Sequence, residues 1–309
     1  MLYVQIHPQV RRRKVLLKMS ITLTCLVILA NGFSVKNVFV ARHSDGVYSL
    51  KGGTQFAILR PDGAGKVVFL DEEGNRVDEQ LVAEDETPIG LSREENLVLS
   101  WPSLSTKPNV NEEDPRLREI YAITPHWLVR WQGRYFAQGK GVVREFQAHY
   151  GPWVGSSICD ATGQMAFCAS IDKGTIYFVD LQTGKAHSLK PNIRPGWRYC
   201  RPELHFQGSH SLVYFADSAD ISPDLLTSMP LLRERPLSTY EDYFDRVVVS
   251  MDLPTGKCTC LFRVQSCGIE PKAAIAHDLS PKFPGPDIAV GKSSLAIRAR
   301  TRVWFVSKR

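Results

Sequence analysis

The sequence predicts an all-β protein: a ring of small four-stranded sheets, preceded by a short N-terminal segment of different character. Three observations predict it. Apolar residues come in runs of four to six, rich in β-branched and aromatic side chains and divided by Gly, Pro, Asp and Asn, as in strands joined by turns. Beyond residue 33 no stretch carries the helical period over a useful length. Above all, one short pattern returns: an apolar strand, an acid, then a tight glycine turn.

The copies are Lys66-Val-Val-Phe-Leu-Asp71 leading to Gly74, Thr175-Ile-Tyr-Phe-Val-Asp180 leading to Gly184, and Val247-Val-Val-Ser-Met-Asp252 leading to Gly256. A truncated copy, Arg302-Val-Trp-Phe-Val-Ser307, ends the chain. The intervals are 109, 72 and 55 residues, against about 40 to 50 for a four-stranded unit. The first interval therefore holds two units, with a degenerate copy supplied by Glu119–Thr124 or Trp127–Trp131. The second holds one unit and an insertion of about 25 residues. A lone sheet cannot bury both its apolar faces, and stacking units in a closed ring does so. The last unit stops before any outer strand, so the segment from Asn37–Ala41 to Val47–Leu50 is expected to complete it.

Met165-Ala-Phe-Cys168 followed by Ile176-Tyr-Phe-Val-Asp-Leu-Gln-Thr-Gly-Lys185 resembles one blade of the β-propeller superfamily, in which WD-repeat, YVTN-type and TolB-like blades carry a strand ending in Asp before such a turn. The sequence departs from true WD repeats, having neither a Gly-His opening nor a Trp-Asp ending, and lacks the tryptophan docking motif of quinoprotein propellers. The resemblance implies a single propeller over residues 34–309, with five to six four-stranded blades and seven as the upper bound.

Composition bounds the partners and the compartment. Of the 38 basic residues, five (Arg11, Arg12, Arg13, Lys14 and Lys18) lie in the first 18 residues, and no acid occurs before Asp45. The body is then close to neutral, which argues against a nucleic-acid footprint. Arg298, Arg300 and Arg302 are expected to be divided by a turn. The basic cluster precedes an apolar run from Ile21 to Ala30 and the small residues after it, the order of a signal peptide. Residues 15–33 equally come near the length of a membrane anchor. Residues 1–33 are thus a signal peptide or signal anchor, membrane association would run through residues 15–33, and either way the body is expected outside the cytoplasm. Six cysteines remain there, with Cys159 and Cys168 flanking a turn and able to face each other across a hairpin; disulfides and buried thiols are both open.

A meander alternates its connections between the two faces of the disc. One, the turn face, carries the compact turns at Asp160–Gly163, Thr183-Gly184 and Thr255-Gly256 and should be plain. The other, the loop face, receives the connections between blades and those between second and third strands. Both insertions, 101–118 and 217–243, are expected there. It would gather Trp101, Trp153, Trp197, Tyr199, Asp220, Asp224, Arg233, Tyr240, Glu241 and Asp242. Aromatics beside hydrogen-bonding groups suit a peptide, protein or carbohydrate ligand, and long loops on a rigid scaffold are where binding residues sit. The tryptophans could equally pack between blades.

Catalytic signals are weak. Gly291-Lys-Ser293 is no P-loop, because the preceding glycine is Gly285 and no helix follows. No G-x-S-x-G elbow and no C-x-x-C pair occur. His205 and His210 near Glu203, and His277-Asp278, are sparse for a metal site, and no metal or cofactor is expected. The expected function is an extracytoplasmic binding or scaffolding module. The alternative is an extracytoplasmic hydrolase or lyase acting on a carbohydrate or peptide in the central funnel, with carboxylate pairs such as Asp220 and Asp224 as acid and base.

Overall fold

Each copy of the motif is the third strand of an antiparallel sheet together with the turn that leads to the fourth. In the computed structural model, Lys66–Asp71, Asp172–Asp180, Asp242–Asp252 and Arg302–Lys308 occupy that place in four sheets. The acid closes the turn. Asp71 accepts the Asn75 N–H at 2.6 Å, Asp180 those of Gln182 and Thr183 at 2.8 and 3.1 Å, and Asp252 that of Thr255 at 3.1 Å. The glycine that follows takes φ of 75°, 75° and 68° at Gly74, Gly184 and Gly256, a backbone state that a side chain would strain.

The structure describes residues 33–40, 46–50, 53–59, 66–81, 88–91, 97–99, 120–124, 126–131, 134–146, 153–169, 172–197, 202–234, 242–268, 287–299 and 302–308. Five sheets of four or more strands form a five-bladed β-propeller. The first blade is Gly46–Leu50, Gln55–Leu59, Lys66–Asp71 and Arg76–Leu81. The second is Ile120–Ile123, Trp127–Trp131, Tyr135–Gly139 and Val142–Phe146. The third is Trp153–Cys159, Gln164–Ala169, Asp172–Asp180 and Ala186–Leu189. The fourth is Leu204–Gln207, Ser211–Asp217, Asp242–Asp252 and Cys258–Gly268, with Leu231–Arg233 added in parallel beyond its outer strand. The fifth is Asp287–Val290, Ser294–Arg298 and Arg302–Lys308, completed by Phe33–Val40. A two-stranded hairpin, Pro88–Leu91 with Leu97–Leu99, lies beside Ile120–Ile123.

Ring closure follows the expectation in part. Phe33–Val40 pairs with Arg302–Lys308 from Phe33 opposite Lys308 to Val40 opposite Arg302. Gly46–Leu50, however, is the inner strand of the first blade and not a spare strand of the last. The degenerate copy is also corrected. Ile120–Ile123 and Trp127–Trp131 are first and second strands of the second blade. The third is Tyr135–Gly139, whose turn replaces the acid with Lys140-Gly141 at φ 46° and 77°, the two-residue solution for a hairpin.

Alternation explains why the strands read as continuous apolar runs. Met165, Phe167 and Ala169 pack towards the second blade, whereas Ala166 and Cys168 pack towards the fourth. Leu212, Tyr214 and Ala216 likewise face the third blade while Val213 and Phe215 face the fifth. Successive side chains leave a strand on opposite faces, and in a ring both faces are interior. A fourth seam joins Phe56 and Ile58 of the first blade to Ala296 and Phe305 of the fifth, with the Phe56 and Phe305 rings edge to face at 5.0 Å.

The alternation also decides the cysteines. Cys159 lies opposite Gln164 and Cys168 opposite Val154, so the two do not meet across their hairpin. Cys159, Cys168, Cys258, Cys260 and Cys267 are free thiols. Burial pushes the Cys168 and Cys267 thiols up to about 12. Among the described residues no helix is long and apolar enough to cross a membrane; residues 1–32, which hold most of the expected leader, lie outside them.

Candidate functional site

The turn face is fastened blade to blade. Trp127, 1% exposed, lies beneath two turns: a Cβ at Gly139 or at Gly163 would meet its ring at 2.7 Å. Gly163 takes φ 74° in the turn of the next blade. Asp160, in that same turn, accepts the Thr124 hydroxyl at 2.5 Å and the His126 N–H at 3.0 Å, and pairs with the His126 ring. Burial pushes the Asp160 carboxyl up, and the bonds from Thr124 and His126 outweigh it and hold the carboxyl below its ordinary value. Further along, Lys140 donates to the Ala161 carbonyl at 3.0 Å and Arg144 to that of Gln182 at 2.9 Å. Lys292 N–H reaches the Gly53 carbonyl at 3.1 Å, joining the last blade to the first. These polar groups face one another and leave little to offer a ligand.

The loop face is built differently, and its described part centres on the border between the third and fourth blades. The connection from Leu189 to Leu204 crosses this border. Its Gly196 N–H donates to the Phe215 carbonyl at 2.8 Å, and its Trp197 N–H donates to the Asp217 carboxylate at 2.8 Å. A side chain at position 196 would strike Asp217 Oδ1 at 2.7 Å, so glycine is needed for this close approach. Tyr214 holds the same connection lower down, donating to the Ile193 carbonyl at 2.5 Å. At the rim, Arg194 grips Asp220 with two bonds of 2.9 and 2.8 Å.

Trp197 is held half-buried by these contacts. Lys173 Nζ stands 5.4 Å from the ring centroid, a cation–π distance. Asp172 positions the neighbouring backbone, accepting the Gly174 N–H at 3.2 Å, the Thr175 hydroxyl at 2.7 Å and the Tyr177 hydroxyl at 3.1 Å. The Thr175 bond holds the Asp172 carboxyl below its ordinary value. The indole N–H of Trp197 is buried without a hydrogen-bond partner among the described residues. Lys173 thus comes from the start of a third strand, Trp197 from the connection between blades, and Asp220 from the insertion.

Beyond Asp220, Pro223–Ser228 is a short helix with proline in its first turn. Leu231–Arg233 then lies along the outer strand of the blade, and buried Glu234 receives the Cys267 N–H at 2.9 Å. The insertion after Asp217 falls between second and third strands, as its sequence position predicts. The stretch 101–118 lies outside the described residues. The strands on either side of it are the hairpin strand Leu97–Leu99 and the first strand of the second blade, so it does not run between a second and a third strand as its sequence position suggested.

Of the ten residues singled out from sequence, Trp197 lies on the connection between the third and fourth blades, and Asp220 lies on the insertion that Arg194 ties to that connection. Asp224 is exposed in the helix, and Arg233 is exposed at the end of the added strand. Trp153 and Asp242 lie in strands whose side chains at those positions are outside the description, and Trp101, Tyr199, Tyr240 and Glu241 lie outside the described residues. Asp220 is engaged by Arg194 and Asp224 stands on the helix, which gives the carboxylate pair no shared arrangement. Arg298 and Arg302 end and begin consecutive strands, with the expected turn between them.

A second group was only half visible in the sequence. Glu203 and His205 sit at the start of the inner strand of the fourth blade, 3.8 Å apart between Oε2 and Nε2. Asp287 begins the neighbouring inner strand of the fifth, opposite Arg298, whose Nε donates to its Oδ2 at 2.7 Å. Burial pushes the Asp287 carboxyl up to about 6; Arg298 opposes this and Glu203 adds to it. Among the described residues no group of three His, Cys, Asp or Glu is set to hold a metal ion. The sequence signal that could have found this rim is an acid at the start of these two inner strands, Glu203 just before Leu204 and Asp287 as the first strand residue.

No family model matches the chain, and no curated protein matches it. Solved structures do. Virginiamycin B lyase from Staphylococcus aureus is 10% identical over 89% of this chain and 99% of that one, with a TM-score of 0.42. Hsv2 from Kluyveromyces lactis, with its loop 6CD replaced by a Gly-Ser linker, is 12% identical over 84% and 76%, with a TM-score of 0.40. The C-terminal WD40 domain of Sif2 is 10% identical over 86% and 69%, with a TM-score of 0.33.

Proposed function

We propose that this chain is a binding propeller that docks a protein or peptide partner on its loop face at the border of the third and fourth blades, in an extracytoplasmic setting supplied by the leader. One observation carries the reading: Lys173, at the start of a third strand, stands over the half-buried Trp197 indole, and the connection that bears Trp197 is tied through Arg194 to Asp220 of the insertion. Tryptophan and arginine anchors of this kind carry most of the energy at protein interfaces. Backbone bonds to Asp217 and Phe215 fix the loop beforehand, which lowers the ordering cost of binding.

The hydrolase or lyase reading is favoured by one feature, the raised Asp287 carboxyl beside His205. It is weakened by the engagement of Asp287 with Arg298 and by the 3.8 Å gap between His205 and Glu203, too long for a hydrogen bond.

The test is recovery of partners, quantified by mass spectrometry, from cells expressing the tagged full-length chain, alone and with Trp197→Ala or Lys173→Ala. A partner lost at least tenfold in both variants, with the urea midpoint little changed, is the expected result. Equal recovery by wild type and both variants would remove the proposed surface. Fractionation with and without residues 1–33 tests export; full-length protein in the cytosol would overturn that part.

A further inference from the structure

We propose that Cys258, Cys260 and Met251, on the side of the fourth blade that faces the third, form a binding site for a soft monovalent metal ion of the Cu(I) class. The site goes beyond the docking reading and does not depend on it.

Strand register brings the three sulfur side chains to one face. Met251 in the third strand lies directly opposite Cys258 in the fourth, and Val249 lies opposite Cys260. Residues directly opposite share a face of the sheet. A bulge then interrupts the alternation: Val249 pairs with Cys260 and Val248 with Phe262, which leaves Leu261 extra. Beyond the bulge, Leu261, Phe262 and Val264 pack towards the fifth blade. Before it, Cys258 and Cys260 pack with Met251 towards the third. Burial and then the nearby Cys258 push the Cys260 thiol up, so the two sulfurs stand within each other's field. Cys258 is also held in one orientation. Its Sγ lies 3.4 Å from the Tyr214 hydroxyl, whose own proton goes to the Ile193 carbonyl at 2.5 Å, so the thiol donates to the hydroxyl oxygen.

The donor set selects the ion. Thiolate and thioether sulfurs are soft ligands and favour Cu(I). A structural zinc ion takes four ligands from Cys, His, Asp and Glu, and among the described residues no three of these are grouped to hold a metal. Met251 adds a donor that only a soft ion uses. On binding, the two thiols release their protons to solvent, the sulfur lone pairs form the new bonds, and the ion keeps its oxidation state. The spacing also favours an ion over a disulfide. Residues two apart on a strand have Cα atoms about 6.6 Å apart, near the upper limit for an S–S bond. A bridging ion lets the sulfurs stand about 4 Å apart.

The site is open on one side. Cys258 and Cys260 are half-buried, while Met251 is fully buried at 0% exposure. Leu231–Arg233 covers the outer edge of this strand only from Arg263 to Gln265. Among the described residues no strand lies beyond Cys258 and Cys260. An ion therefore meets the thiols from the perimeter of the ring and the thioether on its inner side.

The experiment is anaerobic titration of the full-length chain with Cu(I) held by the chromophoric chelator bicinchoninate, beside Cys258→Ser, Cys260→Ser and Met251→Leu. The wild type withdraws one equivalent that each serine variant holds at least tenfold more weakly and Met251→Leu at least threefold more weakly. Ag(I) displaces that equivalent and Zn(II) does not. Equal uptake by the wild type and both serine variants overturns the site, as does displacement by Zn(II). Unchanged uptake in Met251→Leu overturns the three-sulfur ligand set. A Cys258–Cys260 disulfide mapped in protein purified under argon also overturns the proposal. Cu(I) should raise the urea midpoint of the wild type and leave both serine variants unmoved, and the midpoints without copper report folding separately. Partner recovery by Cys258→Ser stays at the wild-type level, so the metal site and the docking surface fail independently.

Discussion

The two faces of this propeller are made from the same repeat and are fastened in different ways: short turns bridged to one another on the turn face, longer connections tied across blade borders on the loop face. On the turn face charged groups bridge adjacent turns or close their own: Asp160 with Thr124 and His126, Asp180 with its own turn, Arg144 with the Gln182 carbonyl. On the loop face the connections are longer and less regular; buried polar atoms without a partner among the described residues occur on both faces, at the Trp127 indole and Glu72 Oε1 on the turn face and at the Trp197 indole and His205 Nε2 on the loop face. The difference teaches where information sits in a repeat fold. The recurring acid-and-glycine turns carry the architecture, and the irregular connections carry whatever distinguishes this chain.

Two tryptophans offer the sharpest way to break that comparison. Trp127→Ala empties a buried site under two turns and should cost about 3–5 kcal/mol, read as a large fall in the urea midpoint. Trp197→Ala removes a half-buried ring and should cost about 1–2 kcal/mol while removing partner recovery. Equal stability losses would mean that Trp197 is simply core.

Next in size is Gly163→Ala, which forces a side chain into φ 74° and against the Trp127 ring at 2.7 Å. A loss of about 2–3 kcal/mol is expected by denaturation. Gly184→Ala has the same strained φ of 75° but meets only the Arg144 side chain at 3.1 Å, which can move, so about 1 kcal/mol is expected.

Acid should act on the two faces with opposite sign. The folded Asp160 carboxyl lies below its unfolded value, so its contribution is complete above pH 4 and is lost as pH falls through the folded value. Asp287 is raised to about 6, so the folded state holds that proton more tightly. Its contribution is complete below about pH 4 and is lost as pH rises through 6. Urea midpoints from pH 3.5 to 7 should show the acid-side loss shrinking in Asp160→Asn and the decline between pH 4 and 6 shrinking in Asp287→Asn. The smallest effect is at the rim, where Arg194→Ala breaks an exposed ion pair and should cost under about 1 kcal/mol.

The legible part of the fold was the third strand and its turn, because there the local chemistry of an acid, a glycine and an apolar run also fixes the tertiary position. Asp71, Asp180 and Asp252 read correctly for that reason. The second blade did not, since Lys140-Gly141 solves the same turn without the acid and Trp127–Trp131 looks like any apolar strand. Gly46–Leu50 misled because an inner strand with both faces buried has no pattern to separate it from a spare outer one. At the site, the meeting of the 190–203 connection with the segment from Asp217 to Asp220 is seen in the bonds from Trp197 to Asp217 and from Arg194 to Asp220. The Glu203–His205–Asp287–Arg298 rim was hidden, because its halves are more than 80 residues apart and join only through blade order.

The most direct measurement places one photo-crosslinking residue at Lys173 on the loop face or at Thr183 on the turn face of the same blade, in the full-length chain expressed in cells. Both positions are exposed, so accessibility does not separate them. Crosslinks to a discrete partner from position 173 and none from position 183 are predicted. Crosslinks from position 183 alone would place the working surface on the fastened turns and contradict the account.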